Sequence, residues 1–520
     1  MAIDKTTEIK PLLIAQVEAP QDEGGGDYYY RTYSPGIAMA QEEGVYAVNL
    51  TNVHRQKEEV MMEADVLILK NICDPDMMPL IKKRKKQKKL SVYELADDIC
   101  GIPPWNPVHF FYKNKENLLL FKRLAKYCDA MQFSVPELKR IYGYLNPTTA
   151  VFPNQISIVP PERKSKNRKE IIIGWGGSHG HFEDIAEVSG PLIDWIIRRD
   201  NIRLYLMCSD PIWLLFNSLP NAKKRRFKPG SLSDYYAFLT KLDIGLAPLK
   251  NTAFNRSRSD IKFLEYAAHG VVPVLQALVP YDSTARHGET GFLFKDGPEL
   301  LSVLEILTVN KNGDLLSKTA KSSRKYVLME RLQNYHSGER IGFYRDQLGR
   351  LQRGQREKKT VCGIFKDLSG IEGVVRNDRH LRLMPTNFER LLHDGLVLSQ
   401  LEGKTDLARS IFLKASQLEP ANYLPYLFGA SCSGDAIDWL NSAIERNPDS
   451  LKSWTMLGEE YSKKGDPINA VRCFDSAAKI FSDYEIPYLR TAALLNTVGH
   501  YKESHFLAQK ARALISSLEA

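Results

Sequence analysis

The sequence predicts two successive α/β units with parallel sheets, followed by an all-α array of helical hairpins. Two observations support the α/β units: short β-rich runs alternate with helical stretches, and this alternation restarts after a proline-rich and charged segment near residues 152–170. The third observation is that strand signals end after residue 384, where a repeat of about 34 residues begins. The predicted domains are residues 1–160, residues 161–350, an irregular linker at 351–384 and the array at 385–520.

Strand candidates define the two α/β units. In the first unit they are residues 12–17, 45–49, 66–70, 90–94, 130–133 and 149–152. In the second unit they are residues 170–174, 203–207, 223–227, 244–247, 272–276 and 291–294. Short apolar runs that alternate with helical patterns are typical of βα repeats, which build parallel sheets. Two such units in succession place a natural ligand site in the cleft between them.

The array is predicted from a repeat with small and aromatic residues at fixed spacing. Its cleanest copy contains Trp454, Leu457, Gly458, Tyr461, Ala470, Phe474 and Ala477, with Gly465 at the turn. This order and spacing match the tetratricopeptide repeat, in which small residues let paired helices approach and large ones fill the space between repeats. Gly395 departs from the pattern, because a larger apolar residue is usual there. Since repeats contact mainly their own neighbours, we expect residues 385–520 to be removable without unfolding the rest.

Composition excludes several classes of protein. No stretch contains the roughly 18–20 uncharged apolar residues of a membrane-spanning helix, and the first residues lack the order of a signal peptide. The 7 cysteines form no CxxC pair, which argues against a disulfide framework and a structural zinc site. These features predict a cytoplasmic protein. The 71 basic and 62 acidic residues give a net charge of +9, which suits nucleic acid, an anionic membrane or a phosphate-bearing small molecule.

The basic surplus is densest in the run from Lys82 to Lys89, which contains a single uncharged residue. Such runs are usually solvated helix ends. The sharper interpretation is peripheral contact with anionic lipid at the inner face of a membrane, at about 1 kcal/mol per basic residue. Nucleic acid is disfavoured, because no interleaved aromatic residues accompany the run.

A glycine-rich turn opens the second unit. An apolar strand runs directly into Gly174, Gly176 and Gly177, followed by Ser178 and by a helix beyond His181. Glycines let backbone N–H groups approach a phosphate closely, and a helix N-terminus adds about half a positive charge. The alternative interpretation is a tight strand–helix turn that binds no ligand.

A second motif occupies residues 255–270. Its spacing predicts a loop that carries Arg256 and Arg258, followed by a helix that is capped by Ser259 or Asp260 and ends at Gly270.

Lys262 and Glu265 stand three residues apart in this helix, so they are neighbours on one helical face. They are either a surface ion pair or a lysine that contacts diphosphate beside a glutamate that accepts hydrogen bonds from a ribose.

Several segments carry a family resemblance. They are Gly174-Trp-Gly-Gly-Ser178 with His181 and Asp184, Phe227-Lys-Pro-Gly230, Leu242-Asp-Ile-Gly-Leu-Ala-Pro-Leu249, Ser259-Asp-Ile-Lys-Phe-Leu-Glu-Tyr-Ala-Ala-His-Gly270 and His287-Gly-Glu-Thr-Gly-Phe-Leu-Phe294, with Cys128-Asp-Ala-Met-Gln-Phe-Ser-Val-Pro-Glu-Leu138 and Val151-Phe-Pro-Asn154 in the first unit. Over residues 10–350 the chain resembles GT-B glycosyltransferases of the family 4 type. The resemblance implies two Rossmann-like domains, an acceptor domain and then a donor domain. It also implies a nucleotide-diphosphate sugar as donor, transfer with retention of configuration, and no metal or cofactor.

The resemblance also implies roles for individual residues. Glu265 would hold the donor ribose, while Lys262 and one of Arg256 or Arg258 would neutralise the diphosphate. The predicted nucleotide-sugar-binding residues are Gly176, Gly177, Ser178, His181, Arg256, Asp260, Lys262 and Glu265. The predicted catalytic residues are Lys262, Arg258 and His109. Ser257 departs from the family, because it stands where an upstream glutamate is usual.

Other candidates lie in the first unit. His109 and His54 are candidates for contact with the transferred sugar or the acceptor, although each also fits a plain loop or helix-start histidine. The glycine-rich loop at residues 24–27 lies where an acceptor loop is expected, and the tyrosines at 28–30 with Arg31 are candidates for lining the cleft.

The sequence therefore predicts a hexosyltransferase-like, metal-independent enzyme whose acceptor is a protein or a surface-glycan intermediate. In this interpretation the array recruits a protein partner or the acceptor itself. Two alternatives stay open. A transferase-derived binding or scaffold protein is favoured by Ser257, and a transferase that modifies DNA is favoured by the basic charge.

Overall fold

A computed structural model describes residues 11–20, 25–106, 108–162, 170–309, 313–353, 368, 371–434 and 436–518. In these residues the chain forms two largely parallel sheets with helices on both faces, followed by paired helices without strands. The predicted fold class is confirmed. Gly24 and the basic stretch at residues 163–169 lie outside the described residues.

The strands follow the predicted order. They are β1 (Leu12–Glu18), β2 (Val45–Thr51), β3 (Val66–Lys70), β4 (Leu90–Leu95), β5 (Ala130–Phe133), β6 (Thr149–Val151), β7 (Ile171–Gly176), β8 (Ile202–Met207), β9 (Lys224–Phe227), β10 (Ile244–Ala247), β11 (Val272–Gln276), β12 (Phe292–Phe294), β13 (Val374–Asn377) and β14 (His380–Leu383). Every residue of β1, β3 and β4 is buried, as expected for parallel strands covered on both faces.

Strand order places two ligand-binding positions in the molecule. The first sheet has the order β13-β14-β2-β1-β3-β4-β5-β6, which reverses direction between β1 and β3. The second has the order β12-β11-β10-β7-β8-β9, which reverses between β7 and β10. Ligands of open parallel sheets bind beyond the carboxyl ends of the strands at such reversal points. The glycine-rich turn follows β7 directly and therefore lies at the reversal point of the second sheet.

Helices cover both sheets and form the array. In the two α/β units they are α1 (Gly26–Tyr28), a π-helical turn (Tyr29–Tyr33), α2 (Ser34–Gln41), α3 (Lys57–Glu63), α4 (Met77–Lys86), α5 (His109–Lys113), α6 (Lys115–Tyr127), α7 (Pro136–Tyr142), α8 (Phe182–Ile197), α9 (Asp210–Leu214), α10 (Leu232–Leu239), α11 (Ala253–Arg256), α12 (Ile261–Ala268), α13 (Val279–Asp282), α14 (Gly297–Thr308), α15 (Gly313–Glu330) and α16 (Gln333–Leu351), with short 3₁₀ turns at Gly143–Leu145, His179–His181 and Asn221–Lys223. In the array they are α17 (Asn387–Ser399), α18 (Thr405–Leu418), α19 (Leu424–Ala430), α20 (Ala436–Arg446), α21 (Leu451–Lys463), α22 (Pro467–Ile480), α23 (Glu485–Thr497) and α24 (Tyr501–Ser516). No helix of the described residues is long and apolar enough to cross a membrane.

The segment predicted as an irregular linker contains a β-hairpin. Strands β13 and β14 pair antiparallel, and β14 pairs in parallel with β2, so they extend the first sheet. Asp378 turns the hairpin in a left-handed conformation with φ of 52°. The prediction of irregular structure is wrong here because the hairpin is short, lies at the sheet edge and is rich in polar residues. Before it, α16 crosses back to the first sheet, where Tyr344 packs with Ile14.

Glycines at helix crossings allow the helices of the array to pair closely. A Cβ atom at Gly458 would lie 2.5 Å from a ring carbon of Phe474, and one at Gly395 would lie 2.6 Å from a ring carbon of Phe412. Such distances leave no room for a side chain, so both positions require glycine for close helix pairing. Gly395, which departs from the pattern in the sequence, therefore has the same role as Gly458.

The array packs against the first domain along successive turns between repeats. In chain order the polar contacts include Arg55 with Glu419 at 2.9 Å, Tyr423 with Asp76 at 3.0 Å, Lys83 with Asp449 at 2.6 Å, Lys82 with the Ile480 carbonyl at 2.9 Å and Arg123 with Glu485 at 2.7 Å. Phe481, Tyr484 and Ile486 join the buried apolar cluster of the first domain. Removal of residues 385–520 would expose this surface and leave Asp76 and Arg123 without these partners. The expectation that the array contacts mainly its own repeats is therefore wrong, and its removal at no cost to the rest of the chain stays a prediction.

The basic run from Lys82 to Lys89 is largely committed to the same packing. Lys82 and Lys83 bind the array as described, and Lys85 pairs with Asp129 at 3.0 Å. Arg84 is fully buried and donates to the carbonyls of Ala64 (2.8 Å) and Leu90 (2.6 Å) among others, while Lys89 donates to the Glu63 carbonyl at 2.9 Å. Five of the seven basic residues of the run thus have partners within the chain, and contact of the run with a membrane stays a prediction.

Candidate functional site

The glycine-rich turn is packed against aromatic rings. A Cβ atom at Gly176 would lie 2.9 Å from a ring carbon of Tyr235, and one at Gly177 would lie 2.7 Å from a ring carbon of Trp175. Gly177 N–H donates to the Met207 carbonyl at 3.1 Å. Packing against these rings therefore requires glycine at both positions, whether or not a phosphate binds here. Ser178 follows in extended conformation and precedes the 3₁₀ turn that leads into α8.

His181 links this turn to the loop that follows β10. Its Nδ1 lies 2.8 Å from Asp184 Oδ2, and Asp184 Oδ1 accepts hydrogen bonds from Lys250 N (2.9 Å) and Asn255 Nδ2 (2.7 Å). Burial lowers the pKa of His181 to about 4, with the positive charge of Arg258 acting in the same direction. The imidazole is therefore neutral at physiological pH, and the network fixes the two sides of the reversal point relative to each other.

Lys262 and Glu265 are adjacent and largely buried at the start of α12. Glu265 is 4% exposed, and its Oε2 forms an ion pair with Lys262 Nζ at 3.7 Å and accepts no hydrogen bond from the part of the chain that the structure describes. Lys262 donates to the Tyr235 hydroxyl at 2.8 Å and lies 4.2 Å from the centre of that ring. Burial lowers the pKa of Lys262, and the Glu265 charge partly opposes this. A buried carboxylate oxygen without a donor can accept a hydrogen bond from a ligand.

The two candidate arginines occupy different surroundings. Arg256 ends α11 and donates to Asn251 Oδ1 at 2.7 Å. Arg258 lies over the ring of Phe254, 5.2 Å from its centre, and its charge acts on His181 and Lys262. The structure therefore brings Arg258 near Lys262, and it gives no such contact for Arg256.

Ser257 and Asp260 have structural partners. Ser257 is 1% exposed, and its hydroxyl donates to the Phe254 carbonyl at 2.8 Å. Asp260 accepts from both terminal nitrogens of Arg331, at 2.6 and 3.2 Å, in a buried pair. Asp260 stands at the N-cap of α12, yet its side chain does not cap the helix because Arg331 occupies both oxygens, and Ser259 instead accepts from Asn154 at 3.0 Å. These contacts show that the predicted side-chain cap is wrong. They give Asp260 a structural partner, and its contact with a nucleotide sugar stays a prediction.

The predicted histidines of the first domain have partners within that domain or in the array. His109 begins α5, and its Nδ1 donates to the Ile102 carbonyl at 2.7 Å. The preceding loop faces the glycine-rich turn, since Trp105 Nε1 lies 3.4 Å from the Gly180 carbonyl. His54 is buried beside Glu389 of the array, with His54 Nε2 3.8 Å from Glu389 Oε1. It therefore belongs to the interface between the first domain and the array, which is called the seam below.

Charged residues gather at the carboxyl end of the first sheet, beside its reversal point. Lys70 pairs with Glu18 at 2.9 Å and with Asp27 at 2.8 Å. Burial raises the pKa of Glu18 to about 7 against the opposing charge of Lys70. Burial also raises the pKa of Asp97, which the charge of Arg258 opposes from the second domain. Charges of the two domains therefore act on each other across the cleft.

Tyrosines and one arginine complete the site beyond the sequence prediction. Tyr235 and Tyr236 lie on α10 beside Lys262 and Glu265, and Arg331 holds Asp260. The pairing of Arg331 with Asp260 spans 71 positions in sequence, and no periodicity or motif connects them. Tyr30 belongs to the tyrosines predicted to line the cleft, and its hydroxyl reaches Glu265.

Comparison with known proteins gives partial likenesses. No protein-family model matches the sequence, and no curated protein matches it. Among solved structures, sucrose-phosphate synthase from Thermosynechococcus elongatus is 13% identical, with 65% of this chain and 100% of that chain covered and a TM-score of 0.47. Anabaena HepE in complex with UDP-glucose is 12% identical, with 64% and 99% covered and a TM-score of 0.45. MamA protein is 22% identical over 25% of this chain and 73% of its own, with a TM-score of 0.23. At these values the likenesses transfer no residue role, and the fold assignment rests on the sheets and paired helices themselves.

Proposed function

We propose that this protein is a metal-independent glycosyltransferase that uses a nucleotide-diphosphate sugar as donor. The observation that carries the proposal is the buried pair of Lys262 and Glu265 at the reversal point of the second sheet, with Glu265 Oε2 free of any hydrogen bond. A lysine suits a diphosphate, and an unpartnered carboxylate oxygen suits a ribose hydroxyl. The sugar would then face the cleft between the two domains.

The chemistry of the leaving group gives the basic residues their role. Cleavage of the bond between the anomeric carbon and the diphosphate oxygen places negative charge on the diphosphate. Lys262 and Arg258 supply fixed positive charge there, and backbone N–H groups of the glycine-rich turn add donors. Because the positive groups are already positioned, they stabilise the transition state without reorganisation. Transfer with retention and a hexose as the sugar are part of the proposal through the family resemblance.

A panel of nucleotide sugars tests the proposal. Wild-type protein should release nucleoside diphosphate from one of them, and addition of EDTA should leave the rate unchanged. Lys262→Ala and Glu265→Ala should each lower kcat/KM by about 100-fold, since each removes a charged contact to the donor. Lys250→Ala is the matched control, because Lys250 lies in the neighbouring loop and pairs at the surface with Glu183. Absence of turnover with every donor would contradict the enzyme proposal.

A transferase-derived binding protein is the second candidate, and one observation favours it. Ser257 stands where the family has an upstream glutamate, and its buried hydroxyl is bonded to the backbone, so this position offers no carboxylate to the sugar. The same panel separates the two candidates, since this one predicts nucleotide binding without turnover. The alternative of DNA modification rests on the basic charge alone, and most basic residues of the run from Lys82 to Lys89 contact other parts of the chain.

We further propose that the array recruits a protein partner or the acceptor. Large apolar side chains are exposed on its last helices, with Ile468, Tyr501 and Phe506 exposed by 66%, 68% and 64%. Contiguous exposed apolar patches mark interaction surfaces, so these residues are the candidates for such a surface on the array. Tyr501→Ser combined with Phe506→Ser should lower transfer to a protein acceptor and leave transfer to a small free acceptor unchanged. If this variant transfers sugar to the protein acceptor as fast as wild-type protein does, recruitment through these helices is refuted.

A further inference from the structure

Tyr30 belongs to the first domain, yet its hydroxyl lies inside the second. It donates a hydrogen bond to Glu265 Oε1 at 2.9 Å, and it lies 2.7 Å from the Tyr236 hydroxyl, which must then be the donor of that bond. Tyr30 is 4% exposed and packs with the buried apolar residues of the second domain, including Phe238 and Leu264. A single side chain thus connects one domain to the carboxylate of the other.

The segment that carries Tyr30, residues 25–33, is fixed to the first domain on both sides of it. On one side Asp27 pairs with Lys70 at 2.8 Å. On the other, Arg31 pairs with Glu94 at 2.6 Å and donates to the Phe152 carbonyl at 2.7 Å. Residues 29–33 form a π-helical turn, a local departure that is frequent at functional sites. The first domain therefore sets the position of the Tyr30 hydroxyl.

As a result, the two carboxylate oxygens of Glu265 have different surroundings. Tyr30 occupies Oε1, whereas Oε2 is buried, has no hydrogen bond and lies 3.7 Å from Lys262 Nζ. A carboxylate rotates about its last bond unless a partner fixes it, and a buried carboxylate without donors is costly. With Oε1 held by Tyr30, the carboxylate keeps one orientation, in which Oε2 is presented on the side of Lys262.

We propose that Tyr30, a residue of the first domain, is a positioning residue that orients Glu265 of the second domain for the nucleotide. This inference rests on the proposed role of Glu265 in holding a ribose. It assigns to the first domain a share of the donor site, because the Tyr30 hydroxyl fixes the orientation of the Glu265 carboxylate. Tyr30 itself touches neither the sugar nor the diphosphate in this proposal.

Tyr30→Phe tests the proposal, because it removes the hydroxyl and keeps the buried ring. UDP, ADP and GDP are titrated separately by calorimetry, and the diphosphate that wild-type protein binds most tightly is used for the variants. Tyr30→Phe should weaken that diphosphate about tenfold, the effect of one hydrogen bond to a charged group. The donor KM should rise by the same factor while kcat stays within about twofold, since the lost contact serves ground state and transition state alike. Tyr488→Phe is the matched control, because it also removes one hydrogen bond of a buried tyrosine, the bond to the Ser482 carbonyl at 3.0 Å within the array.

A second variant keeps the test valid if Tyr30→Phe fails to fold. Asp27→Ala releases residues 25–33 from Lys70 at a partly exposed position and should weaken the diphosphate in the same direction, by a smaller factor. Unchanged or tighter binding in Tyr30→Phe, or in Asp27→Ala where Tyr30→Phe does not fold, would overturn the inference. If wild-type protein binds none of the diphosphates, the proposed function fails and the inference fails with it. If wild-type protein binds and the tested variant binds equally well, the inference alone fails.

Discussion

The ion pairs between the array and the first domain include a buried pair and an exposed pair, and the energies of these two should differ greatly. Arg123 and Glu485 are 7% and 1% exposed at their side chains, with 2.7 Å between Arg123 Nη2 and Glu485 Oε2. Arg123 also donates to the Leu514 carbonyl at 3.1 Å. Arg490 and Glu116 form the exposed pair, at 2.7 Å with 36% and 47% exposure.

Glu485→Ala should weaken docking of the array by about 3–5 kcal/mol, because it leaves the Arg123 guanidinium buried without its counter-charge. Glu116→Ala removes the exposed pair and should weaken docking by only about 0.2–1 kcal/mol, since water already screens those charges. Arg123→Ala combined with Glu485→Ala should recover part of the loss, because no unpaired charge then remains in the seam.

Native-state hydrogen exchange measured by mass spectrometry reports this opening directly. Peptides that cover α6 and the start of α23 should exchange about two to three orders of magnitude faster in Glu485→Ala, because every 1.4 kcal/mol corresponds to about tenfold. In Glu116→Ala the same peptides should change by less than about fivefold. If the two variants exchange at the same rate, the seam is not closed as described and the reasoning from burial is refuted.

Three further predictions concern the second domain and the array. The pKa of His181 is lowered from 6.5 to about 4, so between these pH values the imidazole takes up a proton only in the unfolded state. Stability of the folded protein should therefore fall as pH drops from 6.5 to 4, and His181→Gln should flatten this part of the plot of melting temperature against pH. Asp260→Ala leaves Arg331 unpaired and should lower the free energy of unfolding in urea by about 3–5 kcal/mol with nucleotide affinity nearly unchanged, whereas weaker binding without loss of stability would place Asp260 in the donor site. Gly395→Ala places a methyl group 2.6 Å from Phe412 and should destabilise the array by about 1–3 kcal/mol in thermal unfolding; an unchanged transition would contradict the close helix crossing.

The predicted strands agree with the structure because their signal is local. Strands β3, β5, β10 and β11 begin and end at the predicted residues, and the other strands of the two units differ by up to two residues at an end. Buried parallel strands are short apolar runs, and the polar helix ends and turns between them mark their limits. The hairpin of β13 and β14 lacked this signal, since it carries Arg376, Asn377 and Arg382 along a sheet edge.

The sequence predicted the part of the candidate site in which spacing along a helix alone determines which side chains lie close together. Lys262 and Glu265 are close because one helical turn separates them, and the sequence contains that fact. The Tyr30 hydroxyl reaches Glu265 across 235 positions, and Arg331 reaches Asp260 across 71. The first contact depends on how the two domains pack together, and the second depends on tertiary packing within the second domain. Hydrophobic periodicity encodes neither. Docking of the array was missed for the same reason, because the repeat pattern describes contacts within the array alone.

The recurrence of array contacts at successive turns has a consequence for any protein that binds there. An array attached through a single flexible segment would sample many orientations, and the effective concentration of its cargo at the cleft would depend on the length of that segment. Here the turns near Glu419, Asp449 and Glu485 each form an ion pair with the first domain, and these contacts fix the orientation of the array. If the array recruits a partner as proposed, the distance between its binding surface and the cleft is fixed, and only an acceptor long enough to span that distance can reach the cleft.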